Sequence, residues 1–356
     1  MKNGLGFVET PMEIAKLMVE LASVGRGSAV LDAGCGRGVF LQVLKESGYK
    51  NVCGIEIDEE LFGYCRERFE NVILGNFLSY EFESPFDLIV GNPPYVHFSN
   101  LPEYLAKGVK EITKTGEGDI YYAFILRAIS LLKEGGELIH IVPYHFFYNT
   151  HAKHLRQTLL SSGKLELIID LDEARLFAGE SPETVIFKFK KGKYSLAEEK
   201  ITVLRLRRAR ANLMEIYTKA KEALTNKASN DLFSYQEIPH FLRAQSWSVH
   251  VFTHSFSSNL RLKDLARVGV GLISGLERAF YVSEEELESF TEKEKALVKK
   301  FVKAKNCKRF LVEGYELYII TNDIKSEEDW LSPKRRLKTL KSQASQKKLK
   351  PKSAKS

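Results

Sequence analysis

Leu31-Asp32-Ala33-Gly34-Cys35-Gly36-Arg37-Gly38 follows the apolar run Ala29-Val30-Leu31 and leads into Val39-Phe40-Leu41, where the apolar spacing turns helical. A strand that enters a turn with glycines at 34, 36 and 38 and leaves as a helix is the first βα unit of an open parallel sheet. Glycines at such a turn let backbone approach a ligand where a side chain would block it. The spacing is not GxGxxG, and a carboxylate, Asp32, stands directly before the turn, so the dinucleotide fingerprint is absent.

Outward from this turn the first half of the chain alternates short apolar runs with helical patterns. Strands are expected at 29–32, 52–57, 71–75, 86–91, 136–142 and 165–171, and helices near 37–47, 58–69, 119–133 and 150–162. Glu183-Thr-Val-Ile-Phe-Lys-Phe-Lys190 is a further strand, expected to close the sheet. Upstream, Thr10-Pro11-Met12-Glu13 reads as a helix start: Thr10 as N-cap, proline at the first helical position and an acid three residues after the cap.

The ends of the strands carry the chemistry. Glu56, in Gly54-Ile55-Glu56-Ile57-Asp58, lies 20 residues after Gly36, where a carboxylate can accept both hydroxyls of a ribose. The third strand leads to Gly75-Asn76-Phe77, an amide that can meet an adenine amino edge beside a ring that can stack on it. Singly, Glu56 reads equally as a capping acid and Phe77 as core; in this order they point to a nucleoside. After the fourth strand comes Asn92-Pro93-Pro94-Tyr95. Two prolines stiffen the loop and aim its carbonyls outward. A planar amino group then meets two acceptors, the Asn92 side-chain oxygen and the Pro93 carbonyl. Bonds to both amino hydrogens draw the nitrogen lone pair out of conjugation and make it nucleophilic toward a methyl sulfonium. Tyr95 offers the base a stacking face, although the tetrapeptide could also be a rigid turn and no more.

With these motifs in family order, the chain resembles the gamma-class adenine-N6 DNA methyltransferases of the TaqI type over roughly residues 6–190: Phe7-Val-Glu-Thr-Pro11, LDAGCGRG, GIEID, GNF, NPPY, Gly118-Asp119-Ile-Tyr-Tyr-Ala-Phe124 and Gly136-Glu-Leu-Ile-His-Ile-Val-Pro143. The resemblance implies a Rossmann-like seven-stranded methyltransferase sheet with a second, smaller mixed C-terminal domain. It places Thr10, Asp32, Gly34, Glu56, Asn76, Phe77 and Phe124 around S-adenosyl-L-methionine. Asn92, Pro93 and Tyr95 would hold a flipped adenine, with Phe177 stacking on its other face. Family members commonly have Asp where Asn76 stands; an amide keeps the acceptor and loses the charge.

The expected organisation is a catalytic domain over 1–195, a linker over 196–245, a target-recognition domain over 246–332 beginning in Leu265-Ala-Arg-Val-Gly-Val-Gly-Leu-Ile-Ser-Gly275, and a basic disordered tail over 333–356. Family members usually continue further, so the recognition domain reads as short or truncated. The formal net charge is +7, but residues 1–195 hold 21 Lys and Arg against 26 Asp and Glu, and the last 24 residues hold ten basic side chains and no acidic one. The surplus therefore sits in the tail, which limits what it says about a nucleic-acid groove. Cys35, Cys53, Cys65 and Cys307 match no CxxC pair, so free thiols and no structural metal are expected. No apolar run of membrane length and no signal-peptide core is visible, which leads to an expectation of a cytoplasmic protein without a membrane partner. The partners implied are double-stranded DNA and a cognate restriction endonuclease, for a monomer or weak dimer. The competing readings are an RNA or release-factor glutamine methyltransferase, because the NPPY loop also suits a glutamine amide, and an inactive DNA-binding remnant.

Overall fold

The protein is described here from a computed structural model. The structure describes residues 8–171, 174, 176, 183–207, 211–247, 281–303, 306–308, 311–312 and 314–319. The chain divides into two compact units, Met1–Ser255 and Phe256–Ser356.

In the first unit β1 (Ala29–Ala33), β2 (Asn51–Glu56), β3 (Val72–Leu74), β4 (Phe86–Gly91) and β5 (Leu132–Pro143) pair in parallel in the order β3-β2-β1-β4-β5. α2 (Val39–Glu46), α3 (Glu59–Arg66), α4 (Glu103–Thr113), α5 (Ile120–Leu131) and α6 (Lys153–Ser162) make the crossovers. Buried on both faces, the strands read as continuous apolar runs. Together with α1 (Met12–Glu20) and α7 (Leu213–Asn226), α2 covers one face, while α4, α5 and α6 cover the other.

Three sequence expectations are corrected here. β7 (Thr184–Lys191) does not close the sheet. It runs antiparallel between β5 and β6 (Gly163–Asp170), and Val185, Phe187 and Phe189 bury on one face while Ile186 buries on the other. A strand apolar on both sides gains more inside a sheet than at its edge. Nor is 196–245 a linker: β8 (Lys200–Leu206) pairs in parallel with β6, β9 (Phe233–Pro239) pairs antiparallel with β8, and the sheet has nine strands rather than seven. Ile201 and Val203 face one core and Leu204 and Leu206 the other, a pattern the intervening charges obscure in sequence. α7 between them docks on α1, where Tyr217 donates to Glu20 Oε1 at 2.7 Å and Lys221 pairs with Glu20 at 2.8 Å. Third, Thr10 is not the cap of α1. The helix begins at Met12 after Pro11 with no side-chain capping bond, and the Thr10 hydroxyl serves another partner, described below.

His140 on β5 is fully buried, and neither ring nitrogen has a partner. Burial pushes its pKa down to about 3 from an ordinary 6.5, so it is held neutral in the fold. Below pH 6.5 the unfolded chain takes up a proton that the native state refuses. Stability is therefore expected to fall from pH 6.5 toward 3, by about 1.4 kcal/mol per unit at most. Denaturant unfolding across that range should show a shallower slope in His140→Phe, and equal slopes would refute the assignment.

The second unit contains a three-stranded antiparallel sheet, β10 (Tyr281–Val282), β14 (Glu316–Ile319) and β11 (Val298–Phe301), and a two-stranded pair, β12 (Cys307–Lys308) with β13 (Leu311–Val312). Among its described residues two short helices, α8 (Glu284–Glu288) and α9 (Glu292–Leu297), each start with a full capping box, at Ser283 and Thr291. The expected recognition segment 265–275 and the basic tail lie outside the described residues. Among the described residues no helix is long and apolar enough to cross a membrane, and no cluster of three or more His, Cys, Asp or Glu could hold a metal.

Candidate active site

The strand order reverses at β1, between β2 and β4, and a crevice opens outside the carboxyl ends of these strands. A pocket of about 980 Å³, counting its mouth, occupies it. The turn after β1 takes positive φ at Gly34 (81°), Gly36 (55°) and Gly38 (83°), a conformation that favours glycine. Gly38 is also pressed from behind, since a Cβ there would stand 2.6 Å from the Phe69 ring and 2.9 Å from Cys65 Sγ.

Thr10, Gly34, Glu56, Asn76, Phe77, Phe124, Asn92 and Pro93, read from six separate stretches of sequence, all line this one pocket. Glu56 ends β2 and accepts Gly36 N at 2.8 Å on Oε2, with Ile57 N at 2.8 Å and Asp58 N at 2.9 Å on Oε1. A carboxylate has about four acceptor sites. In this arrangement Glu56 therefore accepts one ribose hydroxyl rather than both, unless the Gly36 N–H is released. Burial raises the Glu56 pKa, and the three N–H bonds oppose the rise. Phe77 and Phe124 lie 5.0 Å apart at 37° and form an apolar wall for a flat ring. Asn76 Oδ1 accepts Leu78 N at 3.0 Å, which leaves its amide N–H₂ and one lone pair to face a ligand.

Asp32 does not line the pocket. It lies buried beneath it, with neither carboxylate oxygen partnered and its Oδ1 packed 3.2 Å from where a Gly91 Cβ would be. Burial first, then Cys65 and Glu56, holds its pKa well above the carboxylate range. An orphaned buried acid next to a pocket fits a ligand that brings positive charge. Arg37 is the only basic side chain among the described lining residues, and it pairs with Glu9 at 3.6 Å. The donor set thus suits an adenosyl group with a cationic end and offers little to a pyrophosphate. S-adenosyl-L-methionine, which carries a sulfonium and an ammonium, fits the residues present.

Asn92 stands on the same wall at the end of β4. Its Nδ2 donates to Val8 O at 3.2 Å and to Thr10 Oγ1 at 3.1 Å, while its Oδ1 accepts the Tyr95 hydroxyl at 2.5 Å. The nitrogen is spent inward, and the oxygen keeps a second lone pair. Burial holds the Tyr95 phenol well above its ordinary pKa, so it stays a donor, with Ile141 O at 2.9 Å as its other acceptor. Tyr95 is half-buried beside the pocket, edge-on to Tyr121 at 6.0 Å. Phe177 lies outside the described residues.

Sequence reading missed the support behind this loop. His97 bridges to Asp119 through backbone, Phe98 N donates to Gly118 O, and Ile120 N donates to Val96 O, which zips the NPPY segment to the start of α5. His145 Nε2 meets Asp119 Oδ2 at 3.0 Å, and its ring packs edge-on against Tyr121. Gly118-Asp119-Ile-Tyr-Tyr is a visible motif, but its pairing to residues 96–98 depends on a long-range contact. The Val8 acceptor is a backbone carbonyl, which no side-chain pattern reveals.

Residues 50–177 match the Eco57I restriction-modification methylase family. The chain is 30% identical over 355 residues to the Type II methyltransferase M.HindII of Haemophilus influenzae, covering 92% of this chain and 64% of that protein. It is 38% identical over 197 residues to M.HincII of the same species, covering 54% and 38%. It thus spans less than two thirds of either relative. Its fold is that of a type I restriction-modification methyltransferase subunit from Streptococcus thermophilus, with a TM-score of 0.51 and 21% identity over 65% of this chain and 56% of that one.

Proposed function

We propose that this chain carries the catalytic domain of a DNA adenine-N6 methyltransferase of the restriction-modification type, which methylates a flipped adenine from S-adenosyl-L-methionine. The family match, the two relatives and the methyltransferase fold support this reading. One observation carries it: Asn92, with its amide nitrogen tied to Val8 and Thr10, shares a pocket wall with Glu56, Phe77 and Phe124.

When bound, the cofactor supplies an activated methyl group on a sulfonium. Glu56 would bind its ribose, Phe77 and Phe124 would flank its adenine, and the buried Asp32 would favour its cationic end. Asn92 Oδ1 and the Pro93 carbonyl would accept the two hydrogens of the target amino group and so free its lone pair for the methyl; the S–C bond would break to leave a neutral thioether, and the methylated nitrogen would release one proton to solvent. Positioning and exclusion of water do the remaining work. The target base leaves the duplex because its amino group is otherwise paired and out of reach. Tyr95 and, in this reading, Phe177 offset part of the unstacking cost, each by ~1–3 kcal/mol. Partners in this reading are double-stranded DNA and a cognate restriction endonuclease, with the segment after residue 246 contributing to target choice in a cytoplasmic monomer or weak dimer.

Incubation with tritiated S-adenosyl-L-methionine and duplex DNA, tRNA or a release factor, followed by digestion of the product, tests the proposal. Label in N6-methyladenine from DNA is expected. Label confined to RNA or protein refutes it, and binding of the cofactor with no label anywhere points to the inactive remnant.

A further inference from the structure

We infer that Thr10 is a positioning residue that acts through Asn92: its hydroxyl sets the plane of the Asn92 amide and so aims the oxygen at the target amino group. This rests on the functional reading above.

An Asn side chain turns easily about its last torsion, whose energy profile is broad and roughly two-fold. Val8 O is an acceptor only, so it decides which end of the amide faces inward: the nitrogen, at 3.2 Å. One hydrogen bond fixes that end and leaves the plane free to swing. The second amide hydrogen goes to Thr10 Oγ1 at 3.1 Å, and Thr10 is 4% exposed, so water does not replace it. With the Tyr95 hydroxyl on the oxygen, the amide is held at three points. Thr10 carries this duty in place of the capping role its sequence suggests, since α1 has no side-chain cap. Thr10 also lines the cofactor pocket, so residues 8–10 touch both halves of the site. A role confined to the cofactor makes the opposite kinetic prediction.

Thr10→Val keeps the shape and removes the acceptor; Thr10→Ser restores the oxygen. The test compares both with wild type in methyl transfer to methylation-free genomic DNA, together with the cofactor Kd by calorimetry and Tm. A misaimed reacting group costs rate rather than binding, so kcat is expected to fall about tenfold in Thr10→Val. Cofactor Kd and KM for DNA stay within about twofold, and Thr10→Ser recovers the rate. The inference is overturned if Thr10→Val weakens cofactor binding while kcat holds, or if the valine and serine variants lose rate alike. Wild-type protein that transfers no methyl to DNA brings down the functional reading itself, and this role with it. Transfer by wild type that Thr10→Val leaves intact brings down only the role of Thr10.

Discussion

Asn92→Ala is expected to cut the single-turnover rate of methyl transfer by about 10²–10³-fold, the scale seen when one preorganised hydrogen-bonding group is removed from a reacting centre. Cofactor affinity should change little, because Glu56, Phe77 and Phe124 remain in place. Asn92→Asp separates the two ends of the same side chain. It keeps an acceptor for the target amino group but sets an oxygen against Val8 O, where a donor now sits at 3.2 Å. The Thr10 hydroxyl can turn to donate to that oxygen, but Val8 O loses its donor and faces another acceptor, which costs ~1–3 kcal/mol. The aspartate variant should therefore lose about as much stability as the alanine variant while retaining more activity. Rapid-quench transfer rates combined with denaturant unfolding measure both, and an aspartate variant as stable as wild type would show that the inward donor bonds are not needed.

Asp32→Asn should move stability and binding in opposite directions. The native carboxyl is buried, partnerless and raised in pKa. A group raised on folding contributes stability that is full below its unfolded pKa, near 3.8, and is lost as pH climbs through the folded value. At pH 7 the free protein therefore holds this acid at a cost. An amide without partners also costs, but it lacks this pH-dependent penalty, so the variant should be more stable by ~1–2 kcal/mol. It should bind S-adenosyl-L-methionine at least about tenfold more weakly, because an amide cannot take the negative charge that a cationic ligand would stabilise on the acid. Thermal unfolding at pH 5 and 8 and titration calorimetry decide it: the gain in Tm should be larger at pH 8. A variant that binds normally would place the charged end of the cofactor elsewhere.

Much of the first unit was legible because its signals are local. Leu31–Gly38 combines a β-forming run, glycines that accept positive φ and a helical continuation, and all three are visible within ten residues. The cap of α3 is Asp58, which accepts Glu60 N and Leu61 N, and not Glu56, the capping acid considered from sequence. Thr10 shows where such reading stops. Thr-Pro-Met-Glu carries the marks of a capping box, yet the hydroxyl satisfies an amide 82 residues away. A hydroxyl bonds whichever donor the fold brings to it. β8 and β9 escaped notice because charged residues interrupt their apolar alternation, and their pairing to β6 depends on where β7 inserts.

The sequence by itself determined the first seven strands of the sheet, the conformation of the glycine turn and the chemical inventory of the site, since backbone sterics, apolar periodicity and side-chain functional groups are properties of neighbouring residues. Only the tertiary structure decided the insertion of β7, the extension to nine strands and the orientation of Asn92. Those depend on which faces can be buried together and which distant carbonyl or hydroxyl meets each buried donor, and a linear pattern leaves that choice degenerate until the chain has packed.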